Sequence, residues 1–131
     1  MATKGSVLVI DDDPDFSEVV RIALQADGFE VRTAADGDQG LARMREQKPD
    51  LVFLDIIMVS PTEGVYVSEV MSEDPELRAV PVVMVSSIID SPYAGQFPQD
   101  RYLHTRMFLN KPVSIPRLLE FANEYATKPV A

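Results

Sequence analysis

Four short apolar runs punctuate this chain, and each is followed at once by a polar residue. They are Val7–Ile10, Leu51–Leu54, Val80–Val85 and Met107–Leu109. Uninterrupted apolar runs of this length read as strands covered on both faces, the pattern of a parallel sheet between helices. A fifth run, Phe29–Ala34, alternates apolar and polar residues and predicts a more exposed strand.

The segments between the runs carry helical periodicity. After Asp13-Pro14, apolar residues fall at Phe16, Val19, Val20, Ala23 and Leu24, one face of a helix. Asp13 suits the N-cap and Pro14 the first helical position, with Gly28 beyond the end. Further helices are expected over Asp36–Lys48, Val65–Ser72 and Ser114 to about Ala126. Strands alternating with helices define an α/β chain with a mainly parallel sheet, and right-handed crossovers place helices on both faces. The segment Ile88–Arg106 departs from the pattern. Pro92, Gly95 and Pro98 exclude one long helix, so a loop with a short helix near Gln99–His104 is expected. The tail Thr127–Ala131 is expected to fray.

Composition narrows the function. At 131 residues the chain has the length of one domain, expected over 1–131 with a core over about 6–126. It has 12 Lys or Arg against 21 Asp or Glu, a net charge of −9. That balance opposes a phosphate-reading surface, so no nucleic-acid partner is expected. The chain has no Cys, which removes disulfides, zinc-thiolate sites and thiol nucleophiles. No apolar run nears the roughly 20 residues of a membrane helix, and MATKGS is no secretory leader. A soluble, cytoplasmic protein is expected.

The position of the acids is more informative than their number. Ligands of open α/β sheets bind beyond the carboxyl ends of the strands. The first strand ends in Asp11-Asp12-Asp13, the third in Asp55, the fourth in Ser86-Ser87 and the fifth in Asn110-Lys111-Pro112. Converging carboxylates repel one another and require a cation. Hard oxygen donors in small number suit Mg²⁺, which keeps waters and shares phosphate oxygens. Lys111 adds a second positive charge and Ser86 a hydrogen-bond donor. The set is suited to attack by Asp55 on phosphorus, with an aspartyl phosphate as product.

At this point the chain resembles a known family. VLVIDDDPDF, LVFLDIIM, VPVVMVSS and FLNKP match, in order and rough spacing, the receiver domain of bacterial response regulators, of the chemotaxis-receiver type. The resemblance covers about Ser6 to Tyr125. It implies a three-layer, doubly wound fold with a five-stranded parallel sheet in the flavodoxin-like order 2-1-3-4-5. It implies that Asp55 is phosphorylated, and that Asp11, Asp12, Asp55 and the main-chain carbonyl of Ile57 hold Mg²⁺. Ser86 matches the hydroxyl that turns toward the phosphoryl group, and Lys111 the amine that contacts it. Lys111-Pro112 stands where the family usually has a cis peptide bond. Phe108 stands at the position of an aromatic rotamer switch, with core packing as the alternative role. The implied partners are a histidine kinase or phosphotransfer protein and a downstream protein target. Output by protein contact is expected, since no DNA-binding segment follows Lys128.

Blander readings apply elsewhere. Asp13 reads as a cap rather than a ligand, His104 as a surface residue, and the Met residues as core filler. Two departures from the family stand out. Val59 replaces the usual Pro and Gly64 comes nine residues after Asp55, so that loop is one residue longer; the region 88–106 also lacks the common pattern. That second departure makes it unsafe to assume the docking face many receivers form there. Ile57 and Ile88, which flank the site with Ser87, are apolar. They cannot orient an attacking water, so slow loss of the phosphoryl group without a helper phosphatase is expected.

Three rival readings compete with this one. An EF-hand beginning at Asp11 requires Gly and Glu where Phe16 and Ile22 stand, so it is rejected. A haloacid-dehalogenase-type phosphatase fails on Asp15, on a missing acidic motif after Lys111 and on length. A degenerate receiver would lack a site residue, and Asp11, Asp12, Asp55, Ser86 and Lys111 are all present. A receiver excised from a larger hybrid kinase or regulator is the alternative to a stand-alone one.

Overall fold

The computed structural model describes residues 4–55, 63–86, 105–110 and 114–126. The run SVLVI forms strand β1 over Ser6–Ile10, and all its residues are buried. Helix α1 follows over Pro14–Ala26, strand β2 over Glu30–Ala34 and helix α2 over Gly37–Glu46. Strand β3 is Leu51–Asp55, helix α3 Glu63–Glu73, strand β4 Val82–Ser86, strand β5 Thr105–Asn110 and helix α4 Ile115–Tyr125. The strands form one sheet in the order β2-β1-β3-β4-β5, and every pairing is parallel.

Helices cover both faces, and the period of two along each strand decides which residue meets which layer. Leu8 and Ile10 of β1 join Val52 and Leu54 of β3 on one face. There they meet Leu41 and Met44 of α2 and Val67 and Met71 of α3. Val7 and Val9 join Leu51 and Phe53 on the other, against Val20 and Leu24 of α1 and Leu118, Phe121 and Ala122 of α4. The alternating run proves to be the edge strand β2, and its exposed Glu30 accords with an edge.

Local chemistry sets the ends of the elements. Asp13 caps α1, and its side chain accepts from the Asp15 and Phe16 amides, with Pro14 in the first turn. At the other end Gly28 adopts φ 99, and Phe29 N–H returns to the Leu24 carbonyl at 3.0 Å. Lys4 joins this corner to α4. Its ammonium pairs with Asp27 at 3.3 Å and donates to Asn123 Oδ1 at 3.1 Å. Asn123, and then Lys4, hold the Asp27 carboxyl below its ordinary pKa.

Several boundaries differ from the sequence reading. Helix α2 starts after its cap Asp36 and ends at Glu46 rather than Lys48; Gln47 is already extended, and Pro49 disfavours the helical region for Lys48 directly before it. Arg32 reaches from β2 to this end, donating to the Arg43 carbonyl at 2.7 Å and to the Gln47 carbonyl. Strand β4 begins at Val82 instead of Val80, because Val80 N–H closes a turn on Leu77 and Pro81 has no N–H. Phe29 is buried but precedes β2, and α3 extends beyond Val65–Ser72 at both ends. Strand β5 claims Thr105 and Arg106, which the sequence reading assigned to the loop. The rest of that loop, with Gln99–His104, and the tail lie outside the described residues.

Candidate functional site

The register of the sheet brings those expected site residues that are described to one edge. Ile10 pairs with Leu54, so Asp11, the next residue, and Asp55, the last of β3, leave neighbouring strands side by side. Asp55 pairs with Val85, and Ser86 pairs with Asn110 at the end of β5. Strand ends of β1, β3, β4 and β5 therefore converge, as the strand-end reasoning requires. Phe108 lies within β5 opposite Met84. Ile57, Ser87, Ile88 and Lys111, together with the side chains of Asp55, Ser86 and Phe108, lie outside the described residues.

The acidic run is held in a defined turn. Asp11 N–H donates to the Ala34 carbonyl of β2 at 3.0 Å. Asp11 is 3% exposed, and its Oδ1 accepts from Asp13 N–H at 2.9 Å. Asp12 is exposed. The three consecutive acids thus differ in environment: one buried and oriented, one facing solvent, one capping α1.

A pocket of about 360 Å³ opens beside the pair, lined by Asp11, Asp12, Pro14, Ser17, Glu18 and Thr33 among others. Ser17 is buried, and its hydroxyl donates to the Asp11 carbonyl at 3.5 Å. Glu18 forms an ion pair with Arg21. The hydrogen bond from Arg21 holds the Glu18 carboxyl below its ordinary pKa. Ser17 and Glu18 were missed as site neighbours. The signal for Ser17 lay in the periodicity: it shares the spacing of Val20 and Leu24, and a hydroxyl on that buried stripe needs a polar partner.

The donor chemistry fits a hard divalent cation. A buried, oriented carboxylate beside an exposed one supplies charged oxygens, and the open pocket leaves room for water. Among the described residues no group of three or more His, Cys, Asp or Glu could hold a metal ion. The pair would need the Asp55 carboxylate as a third donor.

Comparison with known proteins identifies the family. Residues 7–123 match the family described as the response regulator receiver domain. The DNA-binding response regulator MtrA of Mycolicibacterium smegmatis is 39% identical over 85 residues, covering 65% of this chain and 36% of that protein. The polar-differentiation response regulator DivK of Brucella anthropi is 28% identical over 120 residues, 92% of this chain and 94% of DivK. Among solved structures, the chemotaxis response regulator CheY4 of Vibrio cholerae superposes with a TM-score of 0.80 at 26% identity. It covers 94% of this chain and 99% of that one. NtrX of Brucella abortus, in complex with ATP, gives 0.77 at 30% identity over 93% of this chain and 27% of its own. The chain thus spans about a third of MtrA and NtrX but nearly all of DivK and CheY4. No helix among the described residues is long and apolar enough to cross a membrane. With four strand ends converging on an acidic turn, and a match over nearly its whole length, this chain belongs to the response regulator receiver domain family of two-component signalling.

Proposed function

We propose that the chain is a phosphoacceptor switch in which Asp55 is the acceptor. The observation that carries this reading is the sheet register, which sets Asp55 beside the Asp11–Asp12 turn at one edge. A partner histidine kinase, a phosphotransfer protein or a small phosphodonor presents a phosphoryl group. The Asp55 carboxylate attacks phosphorus in line; its O–P bond forms as the bond to the donor breaks, and the donor leaves with the electron pair. Asp11, Asp12, Asp55 and the Ile57 carbonyl would hold Mg²⁺, which neutralises charge on the phosphoryl oxygens when bound. Lys111 offsets the same charge, and Ser86 donates a hydrogen bond to an incoming oxygen.

The modified Asp55 draws Ser86 inward, and the end of β4 shifts with it, with Phe108 following as a switch. This biases a two-state equilibrium read by a downstream protein in the cytoplasm. A second reading, a receiver that is one module of a longer regulator or hybrid kinase, is favoured by the short span of MtrA and NtrX that the chain covers. A haloacid-dehalogenase-type phosphatase draws no support from the family match.

Incubation with acetyl phosphate and Mg²⁺, followed by intact mass, tests the reading. The wild type is expected to gain one phosphoryl group, and no gain with any of several donors overturns it. Loss of that group is expected to be slow, because apolar Ile57 and Ile88 exclude rather than orient water. Ile88→Glu and Ile57→Asn are expected to speed dephosphorylation by about tenfold or more, within the range a positioned polar group contributes. Unchanged rates in both variants would count against this account of the flanking positions.

A further inference from the structure

Asp13 stands outside the expected metal set, but its hydrogen bonds hold the turn that carries the set. Its side-chain Oδ1 accepts from Asp15 N–H at 3.0 Å and from Phe16 N–H at 3.3 Å. Its carbonyl accepts from Ser17 N–H at 3.1 Å. Its own N–H donates to Asp11 Oδ1 at 2.9 Å. The first three bonds fix the Asp13 backbone against the first turn of α1, in an extended conformation with φ −88 and ψ 105. The fourth uses that fixed amide to orient the buried Asp11 carboxylate.

We infer that Asp13 is a positioning residue for the Asp11–Asp12 metal site, acting through its cap on α1. The inference rests on reading Asp11 and Asp12 as ligands. Asp12 lies between the two anchored residues, so its direction is set by the same turn: Asp11 N–H is pinned to the Ala34 carbonyl on one side and Asp13 to α1 on the other. Without the Asp13 side chain, the Asp15 and Phe16 amides lose their acceptor and the first turn of α1 frays. The Asp13 peptide then keeps only its Ser17 bond to α1, and its N–H holds the Asp11 carboxylate less firmly. Partners that orient metal ligands commonly change affinity by about tenfold or more when removed. Coupling of this kind is reciprocal, so Mg²⁺ must also tighten the start of α1.

The competing explanation is charge alone, since any anion near a cation favours its binding. Asparagine separates the two, because it keeps the cap and loses the charge. We would titrate the full chain with MgCl₂ by calorimetry for wild type, Asp13→Asn and Asp13→Ala, and follow amide exchange at Asp15 and Phe16 by NMR. Asp13→Asn is expected to bind within about twofold of wild type, and Asp13→Ala about tenfold more weakly. Mg²⁺ is expected to slow exchange of the two amides in wild type and Asp13→Asn but not in Asp13→Ala. Wild-type affinity in Asp13→Ala overturns the inference, as does an equal loss in both variants. A wild type that shows no Mg²⁺ response in either measurement overturns the metal reading itself. That outcome is distinct from a failure of the Asp13 role, in which wild type titrates normally.

Discussion

Asp55→Asn is expected to gain no phosphoryl group under conditions in which the wild type gains one. The amide matches the carboxylate in size, so the last residue of β3 is kept, with its place in the register opposite Val85. It lacks the anionic oxygen that the proposed attack on phosphorus requires. The loss is therefore of chemistry and not of fold, and the two are measured separately. Intact mass after acetyl phosphate and Mg²⁺ reads the first. The urea midpoint reads the second, and it is expected at or above the wild-type value, because one negative charge fewer at the strand edge that also carries Asp11 and Asp12 relieves repulsion. A variant that still gains a phosphoryl group places the acceptor elsewhere in the chain. A variant that gains none because it is unfolded is recognised by its midpoint.

Phe53→Ala is expected to cost about 3–5 kcal/mol of stability, the range for an aromatic side chain deleted from a packed core. Phe53 is 1% exposed and among the largest fully buried side chains. It sits in β3, between β1 and β4, and packs in the layer formed with α1 and α4. That layer cannot close the void without moving two helices. The urea midpoint should fall while the slope of the transition stays constant, since the same surface unfolds. Val19, grouped by periodicity with the apolar face of α1, is instead 52% exposed, and Val19→Ala is expected to change stability by no more than about 0.5 kcal/mol. Similar costs at the two positions would contradict the layer assignment.

Much of the fold was legible because its strongest signals are local. Buried strands need uninterrupted apolar runs, so β1 and the first four residues of β3 could be placed to within a residue. The cap of α1 was legible as well, since Asp13-Pro14 satisfies the first amides of the helix without help from elsewhere. Boundaries that depend on a distant partner were less legible. The start of β4 turns on the Val80 amide bonding back to Leu77, and the end of α2 is received by Arg32 from another strand. Ser17 was missed for the same reason. Its importance comes from the Asp11 carbonyl six residues earlier, which only the folded turn brings near.

By itself, then, the sequence determined an α/β alternation and put acids, a hydroxyl and an amine at the ends of the strands, because apolar period and strand-end chemistry are written residue by residue. Only the tertiary structure decided what those residues meet. Parallel pairing in one register sets Asp11 beside the end of β3, and the pleat sends alternate residues of β1 to different helix layers. The turn gives three adjacent aspartates three environments, one buried and oriented, one open to solvent and one bound to a helix end. Pro14 already marks Asp13 as the cap, but nothing in the sequence separates Asp11 from Asp12, since burial and hydrogen-bond partners are properties of the surroundings that folding supplies.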